Sequence, residues 1–436
     1  MGSECSYQKT GTQHVHQEWA PCYDCFPNEG EGACMHCIET CHKGHRVGTA
    51  RSGNFYCDCG HKGKCSKNQI SSILDYGSSI FSPPARTSIT ATDIYQSSNV
   101  LAQKLFDVIG RKSVYSPLSI AYIMSLLHLG SSGNTEAQIT KLMTVINTTN
   151  DLMTCLKIFK LANVIMVNKD LPIEPEYLQM AQQLALVSSE DFSNCSAIVN
   201  KANSFIEKNT NNLIKDILKE DMISPDTAMI LVNIIYFKEK WELPFKQCDT
   251  RKEKFNSMIE LEMMTNTKYY PYHEDDHIQL VELSYVGNKY CMGFILPKNR
   301  LTVDNCIGYI GKDFSRAKMR FVEVHIPKFT QRKKIDLIPL MKKMGVTDIF
   351  SSKDACLDKM ISANLNTYVS TMIHEAVVIV DEDGTEAAAT TMAVCTMESC
   401  CMTPNAVVFN ANRSFVYYIK HYPTNTLLFV GDFHGN

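Results

Sequence analysis

Half of the chain's 18 cysteines lie in its first 65 residues, and no hydrophobic pattern constrains that segment as tightly. They occur as Cys5, the pair Cys22 and Cys25, the pair Cys34 and Cys37, then Cys41, Cys57, Cys59 and Cys65, with His42 and His45 in between. A Cys-x2-Cys turn places two thiolates on one tetrahedral ion, and a His-x2-His pair supplies two more ligands. The segment has too few aliphatic side chains to build a stable apolar core, so metal binding must supply its folding energy. Residues 1–66 therefore read as a module held by structural zinc.

The N-terminus lacks the basic–apolar pattern of a secretory signal, so the thiols are expected to stay reduced in a cytoplasmic setting. Met1–Ser6 does fit the N-myristoylation template. Sequons at Asn147 and Asn412 are read as chance matches, because nothing points to secretion. A net charge of -3 excludes a bulk nucleic-acid binder, and the longest apolar run, Ala228–Phe237, is too short to span a bilayer. No Walker or GxGxxG pattern occurs; Gly30, Gly32 and Gly53 read as turns of the zinc module. Hydrophobic content of 44% and 20% charge describe an ordinary globular chain able to bury a large core.

Residues 67–91 are rich in Ser and include Gly77 and Pro83–Pro84, which predicts a flexible or extended linker. Beyond it, Asn99–Ile109 and Asn203–Leu218 carry apolar residues at helical spacing. Pro117 opens a helix over Leu118–Leu129 that Gly130 should stop. Ala228–Phe237 and Lys289–Leu296 read as buried strands, as does Thr371–Val380 with its run Val377–Val380. The stretch after that last strand is unusual. Asp381–Thr391 has no periodic apolar face; after Gly384 it is built of Thr385, Glu386, Ala387, Ala388, Ala389, Thr390 and Thr391. Side chains this small suit a segment that must slide between existing strands, although the same composition also describes an exposed Ala/Thr loop.

Asp381–Thr390 resembles the hinge of inhibitory serpins, and the resemblance extends over the last 345 or so residues. Val114–Ile120 resembles the shutter segment of that family, and Leu231–Trp241 with Phe245 the strand leading into the breach. Val324–Phe329, Met344–Phe350, His374, Ser414–His421 and Leu427–Gly431 match further motifs in order. The resemblance implies an α+β serpin fold over 92–436: three β-sheets with surrounding helices and an exposed reactive-centre loop at about 382–405. The compact stretch between Asn147 and Leu161 is similar to poxviral and other intracellular serpins.

The family mechanism implied is a suicide trap. A protease cleaves the loop and forms an acyl-enzyme, and the loop then inserts as a new strand. On this reading Gly384 permits the turn that begins insertion, Thr385 is buried first, Ala387–Ala389 enter without steric cost, and Glu386 stays on the exposed face. Ser116, Ser119, Asn233 and His374 fall on positions that hydrogen-bond beneath the opening sheet, while Trp241 packs where insertion begins. Counting fourteen residues from Gly384 gives Glu398–Ser399 as the reactive bond. Counting back from Phe409 gives about Cys401; the hinge-side count is adopted because the sheet fixes the insertion length. An acidic P1 suits caspase- or granzyme B-like proteases, and Val394, Met397 and Met402 keep elastase- or chymotrypsin-like targets open. Cys395, Cys400 and Cys401 read as small hydrophobes or as a redox-sensitive group.

The order of the N-terminal ligands, with Phe55–Gly60 near their end, resembles the UBR box of N-degron recognition proteins. By that resemblance Cys22, Cys25, His42 and His45 hold one zinc and Cys5, Cys34, Cys37 and Cys57 a second. A shared Cys37 with Cys59 and Cys65 begins a third. The family's remaining ligand position is Asn68 here, so Cys41, or as second choice His61, would complete it. His14, His16 and His36 remain spare. The family binds a basic N-terminal residue through carboxylates. Asp58 retains one acidic position, whereas Asn28, with Glu29 beside it, and His61 occupy the other two; the alternative is a docking surface for a ubiquitin-pathway protein.

The expectation is thus a monomeric, non-enzymatic protease inhibitor of the cytoplasm, or of the host cytoplasm if viral, carrying three zinc ions. The alternative is a non-inhibitory serpin scaffold whose box is the active part. A ubiquitin ligase is excluded because one box exhausts the Cys/His pattern.

Overall fold

The computed structural model describes residues 15–22, 33–40, 42, 46–55, 57 and 91–435, apart from 144–159, 184, 238, 299, 315–316, 363–366 and 386–404. The chain divides into two compact units, Met1–Ala85 and Arg86–Asn436. No described helix is long and apolar enough to cross a membrane.

In the first unit, β1 (Val15–Ala20) runs between β2 (Ala33–Cys34) and β3 (Arg51–Phe55), antiparallel to both, and α1 (Met35–Thr40) follows β2 directly. Gly53 is a strand residue paired with Gln17, not the turn residue expected from sequence. Among the described residues of this unit the buried apolar side chains are Ala20 and Ala33 together with cysteines, too few for ordinary packing to hold them.

The second unit begins with α2 (Ala91–Ile109), which starts eight residues before the apolar periodicity does, at the last residue of the expected linker. Next come β4 (Val114–Tyr115), α3 (Pro117–Gly130) and α4 (Gly133–Met143). The Ser116 side chain caps α3 by accepting from Ser119 N, with Pro117 at the first helical position. β5 (Lys160–Asn168), α5 (Pro175–Ala181) and β6 (Leu186–Glu190) lead to α6 (Cys195–Asn209). The helix expected over Asn203–Leu218 therefore ends at Asn209. Asn211, Asn212 and Asp216 all adopt positive φ, which asparagine and aspartate tolerate and a helix does not, and the apolar Ile214, Ile217 and Leu218 are buried from an irregular segment.

The remaining elements are mostly strands: β7 (Met229–Tyr236), β8 (Glu239–Lys240), β9 (Arg251–Phe255), β10 (Ile259–Glu274), β11 (Ile278–Ser284), β12 (Tyr290–Pro297), β13 (Lys318–Pro327) and β14 (Phe329–Asp336). After α7 (Leu337–Lys343) come β15 (Thr371–Val380), β16 (Gly384–Thr385), β17 (Val407–Asn410), β18 (Phe415–His421) and β19 (Thr426–Phe433). They form three large sheets. One has the order β14-β15-β7-β5-β6. The other two share β10, which is 16 residues long. Its early part pairs with β9 and, over Met263–Tyr272, with β13. Only Tyr272–Glu274 pair with β11, from which β12, β18, β19 and β4 continue.

At its centre the five-stranded sheet is buried on both faces, and this explains the apolar run of β7, all eight residues of which are buried. Leu231 and Ile235 join the core that contains α3, while Ile230, Val232 and Ile234 join a second core under α6. Asn233 is the exception in that run: fully buried, polar, and on the α3 face by its alternation with Leu231 and Ile235.

Candidate functional site

Three polar side chains lie side by side on that face. Register pairs His374 of β15 with Asn233 of β7, and Asn233 with Asn163 of β5. The Asn233 amide joins them: its Oδ1 accepts from His374 Nδ1 at 2.7 Å and from the Ser119 hydroxyl at 3.0 Å, and its Nδ2 donates to Asn163 Oδ1 at 2.6 Å. The backbone N–H of Ser116 donates to His374 Nε2 at 3.1 Å. Because Nε2 must accept, the proton sits on Nδ1 and the ring is neutral. Burial agrees, lowering the His374 pKa from 6.5 to about 3. The structure thus brings together Ser116, Ser119, Asn233 and His374, and adds Asn163, which sequence reasoning missed; inside the run of β5 it has no motif around it.

β15 and β7 are parallel and directly bonded from Thr371–Ile230 to Val377–Tyr236. Beyond β15 the chain leaves the sheet and is caught at its end. The Asp381 side chain accepts from the N–H groups of Asp383 and Gly384, closing a tight turn. β16 then pairs antiparallel with β8, Gly384 opposite Lys240 and Thr385 opposite Glu239. Trp241 N donates to Asp383 O and Phe245 N to Glu382 O, both at 2.9 Å. The Trp241 indole stacks on Tyr285 with ring centroids 4.5 Å apart, and its Nε1 donates to Asp381 O at 2.9 Å.

Glu382, 6% exposed, is held by Lys328 at 3.0 Å and accepts from the Thr250 hydroxyl at 2.8 Å. Burial works against its charge, but these bonds outweigh it and hold the carboxyl below its usual range. Gly384 was expected to permit a turn; the structure shows a different need for it. A Cβ there would stand 2.3 Å from the Glu239 carbonyl oxygen, so only glycine lets β16 approach β8 this closely. Glu382, Lys328 and Thr250 were not singled out by the sequence, because their partnership spans three distant segments. The expected hinge residues Glu386, Ala387, Ala388 and Ala389 and the expected reactive bond Glu398–Ser399 lie outside the described residues.

In the first unit, the ligand atoms of Cys34, Cys37 and Cys57 all lie within 4.8 Å of one another, and all three residues are buried. Four thiolates at about 2.3 Å from a tetrahedral zinc stand roughly 3.8 Å apart, so this donor set fits zinc. The Cys34 N–H points at Cys57 Sγ at 3.2 Å, a contact that favours the thiolate. These three are among the four residues assigned to one ion from the sequence; Cys5 lies outside the described residues. So do Cys25, Cys41, His45, Asp58, Cys59 and Cys65, while Cys22 and His42 are described and both buried.

Comparison with known proteins fits both units. The family model "Serpin (serine protease inhibitor)" matches residues 96–435, and the UBR box model matches residues 2–66. An uncharacterised serpin-like protein of Acanthamoeba polyphaga mimivirus is 35% identical over 362 residues, covering 78% of this chain and 90% of that protein. The leukocyte elastase inhibitor of Equus caballus is 30% identical over 351 residues, covering 73% and 91%. The crystal structure of native protease nexin-1 with heparin superimposes with a TM-score of 0.69 at 23% identity, covering 79% of this chain and 99% of that one. This chain belongs to the serpin family, whose members are protease inhibitors rather than catalysts, and it carries a UBR box ahead of the serpin unit.

Proposed function

We propose that the protein is an intracellular inhibitor of serine or cysteine proteases that acts by the suicide-trap mechanism. The observation that carries this reading is the closed parallel pair β15–β7, with the root of the loop held outside it at Asp381–Thr385. A strand running back from β15 would be antiparallel to both neighbours, exchanging one parallel ladder for two antiparallel ones. Each backbone hydrogen bond so gained contributes roughly 0.5–1.5 kcal/mol, so a strand paired on both sides supplies on the order of 10 kcal/mol. About fifteen inserted residues at roughly 3.3 Å each would drag a tethered protease several tens of ångströms.

In this reading Gly384, Thr385, Glu386, Ala387, Ala388 and Ala389 form the hinge, Glu398–Ser399 the reactive bond, and caspase- or granzyme B-like enzymes the first targets. The equine relative bears the name of an elastase inhibitor, which keeps elastase-like enzymes in view. The mimivirus relative supports a viral origin, with the inhibitor working in host cytoplasm as a monomer. The UBR box would bind three zinc ions and present Asp58 to a basic N-terminus, or dock a partner of the ubiquitin pathway.

Insertion can be tested without a target. Nicking the loop with a non-target protease should raise the melting temperature of the serpin unit sharply. An unchanged melting temperature would instead favour a non-inhibitory scaffold.

A further inference from the structure

The chain turns from β10 into β11 through His273, Glu274, Asp275, Asp276 and His277, a run used neither by the loop nor by the zinc box. Asp275 is its centre. Its Oδ1 accepts from the N–H groups of His277 at 2.8 Å and Ile278 at 2.9 Å, and its Oδ2 accepts from the Tyr309 hydroxyl at 2.7 Å. These bonds fix the carboxylate's orientation and leave a lone pair of Oδ2 for a further partner. His273 Nε2 stands 3.5 Å from that oxygen, its ring set against Phe314 with centroids 5.3 Å apart. His277 Nδ1 lies 3.9 Å from Oδ1. The three side chains, of His273, Asp275 and His277, are 39%, 33% and 61% exposed, so all reach solvent.

The spacing carries information. Nitrogen and oxygen ligands bound at about 2.0–2.1 Å to a tetrahedral ion stand roughly 3.3–3.4 Å apart. The separation between His273 Nε2 and Asp275 Oδ2 is close to that of two ligands sharing an ion, and long for an N–H···O bond. The third ligand is not yet in place: among the described residues only the Cys34, Cys37 and Cys57 group converges within 4.8 Å. His277, at the tip of the hairpin and the most exposed of the three, is the one that must turn. The field there favours a cation. Glu274, Asp275 and Asp276 are answered by one ammonium, that of Lys298, which donates to Glu274 Oε1 at 2.7 Å and to the Asp275 carbonyl at 2.9 Å.

We propose that His273, Asp275 and His277 form an open zinc site on the surface of the serpin unit, with two imidazoles, one carboxylate and water completing the shell. Imidazole and carboxylate donors suit that ion. Tyr309 acts from outside the shell, holding the ligating carboxylate in orientation. With three protein ligands, one of them drawn in on binding, the site is weaker than the box and gives up its ion on desalting. Its occupancy does not depend on whether the trap operates or on what the box binds.

Isothermal titration of zinc chloride at pH 7.5 into the desalted full chain, its box loaded, tests the site. The expected result is one further saturable ion. His273→Gln and His277→Gln should each weaken its binding at least tenfold, and Tyr309→Phe about tenfold. None of the three side chains is buried in the core, so the variants should fold normally, and an unchanged urea midpoint checks that they do. The proposal is overturned if no further ion binds. It is overturned equally if His277→Gln holds that ion as tightly as the wild type, which would place it on other surface groups.

Discussion

His374 and Asn233 face each other across the parallel strands β15 and β7, the imidazole Nδ1 2.7 Å from the amide oxygen. Neighbouring strands lie about 4.8 Å apart; a strand placed between these two would double that separation. The bond cannot survive insertion, so it is one of the contacts that keep the sheet closed.

Asn233→Ala should therefore do two things. It strands His374 Nδ1 and the Ser119 hydroxyl in a dry core and removes the donor to Asn163 Oδ1, a loss of about 2–4 kcal/mol, visible as a lower urea midpoint at pH 7.5. It should also speed spontaneous opening, measured as faster uptake of a synthetic hinge peptide. A variant as stable as the wild type would show that the cluster contributes nothing.

The same histidine sets a pH dependence. Its folded pKa of about 3 lies below the ordinary 6.5, so on acidification the unfolded chain takes up the proton first. From this group, stability is complete above about pH 7 and falls by roughly 1.4 kcal/mol per pH unit between about pH 6 and pH 3. His374→Gln should be less stable at pH 7.5 yet lose stability less steeply between pH 6.5 and pH 4.5. Parallel curves for the two proteins would assign the acid loss to other groups.

At the root of the loop, Glu382→Ala removes the acceptor for both Lys328 and Thr250. The pair is partly exposed on the lysine side, which screens it, so the loss should be about 1–3 kcal/mol. Hydrogen exchange should quicken at the amides of Trp241 and Phe245, which donate to Asp383 and Glu382. Lys328→Met should reproduce part of the effect. Unchanged exchange in both variants would mean that the β16–β8 pairing alone holds the loop's root.

The legibility of each element in the sequence depended on where its determinants lie. β7 and β15 are buried along nearly their whole length, as central strands of a covered sheet are, and their motifs carried Asn233 and His374 with them. α6 was misplaced because Ile214 and Ile217 keep helical spacing while Asn211, Asn212 and Asp216 turn the backbone left-handed; periodicity reports burial, not φ. Asn163 and Glu382 were passed over because their meaning lies in partners 70 and 132 residues away. The grouping of Cys34, Cys37 and Cys57 came from the resemblance of the ligand order to the UBR box, and the three ligand atoms do lie within 4.8 Å of one another.

The zinc box should behave independently of the serpin unit. Native mass spectrometry is expected to find three zinc ions on the full chain, and fewer in Cys37→Ser, since that residue is assigned to two sites. Stripping with a chelator should remove the zinc and leave the urea midpoint of the serpin unit unchanged. Retention of all zinc in Cys37→Ser would refute its bridging role.

The most direct measurement is incubation with caspases, granzyme B, elastase and cathepsin G, followed by a denaturing gel and mass analysis. The trap predicts a covalent adduct that survives denaturation, with the loop cut after Glu398. Cleavage of the loop with no adduct from any of these enzymes would contradict it.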